Sequence, residues 1–152
     1  MDAAERLAIT EDVRRLMARY ARYADHHRWQ DLAGLFAPDG TYTPYKPDGT
    51  PWLRMEGRED IAAKLAAANT PEDTLIHHLF SSEVDVDSAA SAHGVWAMED
   101  LIIRPEGIEP PADFPFKGMH GYGHYRGRFV VLDGSWYIAE LEQTRLHMDF
   151  TY

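Results

Sequence analysis

The sequence predicts an α+β domain in which N-terminal helices pack on one face of a curved, mainly antiparallel sheet. Three observations predict it. Helical spacing of apolar residues is confined to the chain before Thr70, four long β-like runs follow from residue 75 onward, and the last two runs are joined by Asp133-Gly134. Asp-Gly between alternating apolar runs is a strong two-residue hairpin signal, and helices followed by strands, rather than the two in alternation, is the order of an α+β fold.

The first helix is marked by Ile9, Val13, Leu16, Met17, Tyr20 and Ala24, which recur at helical spacing, with Asp2 and Glu5 placed to form a capping box. Asp25 lies about 140° round the wheel from Tyr20, so it reaches the interior only if the helix stops or bends there. A short second helix runs through Trp29, Leu32, Leu35 and Phe36, and the Ala37-Pro-Asp-Gly40 turn signal closes it. Residues 41–45 and 52–56 read as strands of a hairpin around the turn-rich KPDGTP. The third helix begins at Gly57, has acids in its first turn, sets Ile61 and Leu65 four apart, and ends near Asn69-Thr70-Pro71. The long strands are 75–86, 92–104, 121–132 and 135–147. Residues 104–118 hold four prolines and form a loop, either a lid or a plain excursion.

A chain of 152 residues fits one domain spanning 1–152 with a core of its own. No run is apolar enough to span a bilayer, and the acidic, periodic N-terminus is unlike a signal peptide, so the expected location is cytoplasmic, with no membrane partner. The absence of cysteine excludes disulfides, thiolate metal sites and cysteine nucleophiles. With 15 Lys+Arg against 25 Asp+Glu the net charge is -10, which repels a phosphate backbone, so no nucleic acid is expected. His120 and His124 lie in a glycine-punctuated strand rather than in a helical HxxxH, and Gly121-Tyr-Gly123 lacks the helix of a phosphate loop. No metal is expected, and a phosphate-loop reading has no support. Phe129, Val131 and Trp136 exceed what one sheet face can hide, which points to a homo-oligomer.

YARYADHHRW (20–29) places a carboxylate and two imidazoles where the first helix ends. Such groups can exchange protons near neutral pH or simply close a helix. Strand alternation lets only one of His77 and His78, and one of Glu99 and Asp100, face the interior. Tyr20, Tyr42 and Tyr45 are either half-buried core or phenolic donors, and Arg145 either holds an anionic group or pairs with an acid.

The stretches YARYADHHRWQDLAGLFAPDGTY, MEGREDI, IHHLFSSEVDVD and GHYRGRFVVLDGSWYIAELEQTRL together resemble the SnoaL-like branch of the nuclear transport factor 2 superfamily over nearly the whole chain. Within it the chain most resembles the scytalone dehydratase, bile acid 7α-dehydratase and hexachlorocyclohexane dehydrochlorinase families. The resemblance implies a cone-shaped α+β barrel with a pocket, a cofactor-independent lyase, and a homodimer or homotrimer formed through the outer sheet face. It implies catalytic roles for Asp25, His77 and Asp100. Substrate-binding roles fall to Tyr20, to Tyr42 or Tyr45, and to Arg145. Ser81 stands where many relatives have asparagine, and Asp100 where the scytalone enzyme has a second histidine, so scytalone is not the expected substrate. The expected reaction is elimination on an apolar cyclic molecule such as a steroid, terpenoid or aromatic polyketide. Isomerisation or cyclisation by the same pair is an alternative. So is a non-catalytic binding or assembly module, since the superfamily holds both kinds.

Overall fold

The computed structural model describes residues Met1–Tyr152. Helix α1 (Ala3–Asp25) starts on a capping box in which Asp2 and Glu5 exchange side-chain to backbone bonds of 2.8 Å, and it buries Val13, Leu16, Met17, Tyr20 and Ala24. Its end is a Schellman turn, with His27 N–H donating to Ala24 O and Arg28 N–H to Tyr23 O. His27 takes the left-handed position, φ 56°, that glycine usually fills. Helices α2 (Trp29–Ala33) and α3 (Arg58–Ala68) follow, α3 springing from Gly57 at φ 83°.

Six strands form one open sheet of order β2-β1-β6-β5-β4-β3: β1 (Phe36–Pro44), β2 (Met55–Glu56), β3 (Thr74–Ser88), β4 (Ser91–Ile103), β5 (Gly118–Leu132) and β6 (Ser135–Thr151). Every pair is antiparallel except β1 with β6. Breaks in register at Leu79/Ser82, Tyr122/Gly123 and Arg128/Phe129 bend the long strands. Glycines let rings lie flat on the concave face: a Cβ at Gly127 would meet the Phe129 ring at 2.5 Å. The sheet does not close, and α1 crosses β3, held by Arg6 to Val86 O and Arg14 to Ser82 Oγ, both 3.1 Å. Helices on one side and the bent sheet on the other enclose the core. No helix is long and apolar enough to cross a membrane.

Three local expectations need correction. Residues 37–40 do not turn the chain after α2; they bulge within β1, because Phe36 pairs with Ile138 while Thr41 pairs with Glu140. The strand expected over 52–56 shrinks to Met55–Glu56: Tyr45 bridges Pro51 and Trp52 N–H donates to Pro44 O at 2.9 Å, while Leu53 and Arg54 lie outside the ladder. Phe129 is fully buried and Trp136 packs on the core, so neither argues for an interface; the exposed large apolar side chains of the strands are Phe80, Ile103, Tyr122, Leu132 and Leu146.

Candidate functional site

Between α1, α2, α3 and the concave sheet lies a cavity of about 120 Å³, and 15 of its 22 lining residues are hydrophobic, so its wall is largely apolar with a few polar groups set into it. Met55, Leu65, Leu75, Ile102 and Met119 form much of the wall. Phe114 and Phe116 of the 104–118 loop complete it, the Phe114 ring 5.8 Å from that of Trp52. The proline-rich loop is therefore part of the cavity wall. It is pinned by Arg104, whose guanidinium makes bonds of 2.9 and 2.8 Å to Asp73 and reaches the carbonyls of Phe114 and Phe116, with both charged side chains wholly buried.

One wall carries an imidazole. His77 projects inward from β3 and His78 outward, where it meets Glu99 at 2.9 Å. The Asp25 carboxylate turns in at the end of α1, and its Oδ1 accepts from His77 N–H and lies against His77 Nδ1, both at 2.8 Å. A carboxylate facing Nδ1 keeps the proton on that nitrogen and leaves Nε2 with its lone pair. Nothing in the chain occupies Nε2 by a hydrogen bond. The His77 side chain is 13% exposed and that of Asp25 31%, so the pair stands at the border of cavity and solvent. An aspartate at a helix C-terminus faces the negative end of the helix dipole, at a cost of about 0.3–1 kcal/mol, which its two bonds to His77 offset.

The polar end of the cavity is built on β4, β5 and β6. Asp100 faces in while Glu99 faces out, and Arg145 grips the Asp100 carboxylate at 2.5 and 2.9 Å. The pair crosses β5 over Gly121, where a Cβ would sit 2.7 Å from Asp100 Oδ1. Burial lowers the Arg145 guanidinium, but its bonds to Asp100 outweigh that and hold it above its usual value. Its Nε is a buried donor without a partner. Tyr20 and Tyr42 line the cavity, and Tyr125 lies behind them, fully buried. Burial pushes the Tyr42 phenol up to about 12 and raises Tyr20 and Tyr125 as well, so all three stay protonated at neutral pH.

The structure thus brings His77, Asp100, Tyr20, Tyr42 and Arg145 to one cavity, with Asp25 joined to it through His77, and leaves Tyr45 out of it. Tyr45 lies past the end of β1, where it bridges Pro51. Arg145 does not stand free for an anionic ligand, because Asp100 occupies both its terminal nitrogens. His120 Nε2 donates to the Glu99 carboxylate at 2.9 Å on the outer face. Sequence reasoning missed Gln143, a buried amide among these groups. Its signal was available: Leu141, Gln143 and Arg145 alternate along one face of β6.

A model of the SnoaL-like domain matches residues 5–142. Among solved structures, the chain superposes on a scytalone dehydratase candidate from Novosphingobium aromaticivorans with TM-score 0.80 at 20% identity, covering 99% of this chain and 93% of that one. A hexachlorocyclohexane dehydrochlorinase from Novosphingobium barchaimii superposes with TM-score 0.76 at 16% identity, covering 98% and 94%. The β subunit of a candidate aromatic-ring-hydroxylating dioxygenase from N. aromaticivorans gives TM-score 0.72 at 14% identity, covering 91% and 90%. At these identities the likeness shows the fold, and that fold carries both lyase-type and subunit roles.

Proposed function

The chain belongs to the SnoaL-like domain family, and from that premise we propose that it is a cofactor-independent lyase removing water from a neutral, largely apolar cyclic molecule. The observation that carries the reading is the 2.8 Å bond between His77 Nδ1 and Asp25 Oδ1 at the wall of an apolar cavity. Neighbours named as a dehydratase and a dehydrochlorinase support the reaction class. In this scheme His77 Nε2 takes a proton from a carbon beside a carbonyl, and Asp25 holds the ring and stabilises the imidazolium. The electron pair of the broken C–H bond becomes the C=C bond as the neighbouring C–O bond breaks. The departing hydroxide takes a phenolic proton and leaves as water, and solvent returns the imidazolium proton to the phenolate. Asp100, with its oxygens engaged by Arg145, anchors the polar end rather than donating a proton. Isomerisation starts with the same proton removal and would use the same residues.

The test is a panel of mono- and bicyclic β-hydroxyketones, with enone absorbance as readout, for the native chain and His77→Gln. Elimination by the native chain that His77→Gln abolishes is expected. Turnover that survives in His77→Gln would sink the reading, and a panel that binds without any reaction would replace it with a binding role.

A further inference from the structure

The polar end of the cavity holds an amide whose orientation is forced by its neighbours. Asp100, ion-paired to Arg145, can only accept hydrogen bonds, and Gln143 approaches Asp100 Oδ2 at 3.4 Å. The group facing that carboxylate must therefore be the amide nitrogen. Its second hydrogen goes to the Tyr125 hydroxyl at 3.0 Å, which leaves the amide oxygen facing the Tyr42 hydroxyl at 3.3 Å. An amide oxygen accepts and cannot donate, so the single Tyr42 proton is spent on Gln143. Of the two phenols that line the cavity, Tyr20 is the one whose proton neither Gln143 nor Asp100 claims; its hydroxyl stands among those of Tyr42 and Tyr125, and a ligand oxygen competes with these for its proton.

Resting on the reading of this cavity as a substrate site, we infer that Gln143 is a positioning residue that makes Tyr42 an acceptor and Tyr20 the phenolic donor to a substrate oxygen. The ligand that fits is a neutral cyclic ketone or hydroxyketone. Its carbonyl or leaving oxygen accepts from Tyr20, and a hydroxyl of its own can donate to the Tyr42 oxygen. The Asp100–Arg145 pair brings no net charge to this end, and Lys64, the other cation of the lining, is paired with Asp60 at 3.1 Å, so neither stands free as counter-ion to an ionised carboxylate. The chain reads an acceptor oxygen on an uncharged ring.

Trp29 and Trp52 line the cavity, so quenching of tryptophan fluorescence reports binding. The probes are 2-decalone and decalin, of similar shape, one with an acceptor oxygen and one without. Each variant is scored by its ratio of ketone to hydrocarbon affinity, so that a general loosening of the cavity cancels. The native chain should favour the ketone roughly five- to tenfold, the contribution of about one buried hydrogen bond. Tyr20→Phe should erase the preference, and Tyr42→Phe should keep it within about twofold, as a phenol that donates elsewhere offers the ketone nothing. Gln143→Met releases the Tyr42 proton, so the double variant Tyr20→Phe/Gln143→Met should regain a preference that Tyr20→Phe alone has lost. A merely structural role for Gln143 would not restore it. The inference is overturned if the native chain shows no preference, if Tyr42→Phe loses it while Tyr20→Phe keeps it, or if the double variant stays indifferent. These outcomes are separate from the His77 test. A chain that selects the ketone yet eliminates nothing would uphold the donor assignment and sink the lyase reading.

Discussion

Asp25→Asn removes one charge and leaves the shape. The amide oxygen can still accept from His77 N–H, so the end of α1 stays docked on β3 and the fold is preserved. What is lost is the anion facing His77 Nδ1. At about 3 Å and an effective dielectric of about 20, the attraction between that carboxylate and the imidazolium formed on proton removal is about 5.5 kcal/mol, or about four decades in rate. The Asp25 side chain is 31% exposed, however, and water raises the local dielectric. Doubling it halves the figure to about 2.8 kcal/mol, about two decades. The expected loss in kcat on any β-hydroxyketone the native chain turns over is therefore about 10²- to 10⁴-fold, with KM little changed because the pair need not touch the ground-state ligand. His77→Gln should be at least as severe, and the double variant scarcely worse than His77→Gln, since residues acting as one unit are not additive. His78→Gln, on the outer face against Glu99, should retain nearly full activity. An Asp25→Asn variant within threefold of the native rate would refute the pairing argument, and an inactive His78→Gln would place the register one residue out.

At the cavity wall, burial pushes the Asp73 carboxyl up but its bonds to Arg104 and Thr70 pull it further down, to below its ordinary 3.8. A carboxyl lowered on folding stabilises the chain above its unfolded value and loses that contribution as pH falls through the folded value. Asp73→Asn should therefore cost about 3–5 kcal/mol at pH 7 in urea denaturation, with the gap to the native chain closing below about pH 4; a gap that widens in acid would be contrary. Gly121→Ala forces a methyl against Arg145 Nη1 and Asp100 Oδ1, and should lower Tm by about 3–10 °C; an unchanged Tm would show that the pair is not held over bare backbone. The outer sheet face exposes Ile103, Tyr122 and Leu146, and we propose that it joins copies of the chain; light scattering at micromolar concentration should give a multiple of 17.3 kDa, and the monomer mass would contradict it.

The sequence by itself determined what depends on near neighbours. The spacing from Ile9 to Ala24 defined the buried stripe of α1, Asp2 and Glu5 its cap, and Asp133-Gly134 the β5–β6 hairpin. Strand alternation required that one of each adjacent pair point inward, because successive side chains leave a pleated strand on opposite faces. It could not say which. His77 and Asp100 face inward because α1 packs across the face of β3 that holds His77, a relation between segments 52 residues apart in sequence. Asp25 lies off the apolar stripe, and its carboxylate reaches β3 where the helix ends on it, in a Schellman turn whose left-handed residue is His27 rather than the glycine that would have signalled it. The bulge at 37–40 lies where β1 shifts its register against its parallel partner β6, and no local propensity encodes that partner. The same holds for Asp100, Gln143 and Arg145. Each is an ordinary polar strand residue until β4, β5 and β6 align, and then Gly121 leaves the room in which they meet. Period and capping are short-range and survive in sequence, whereas the choice of partner for a charge or an amide is made by packing between strands far apart along the chain.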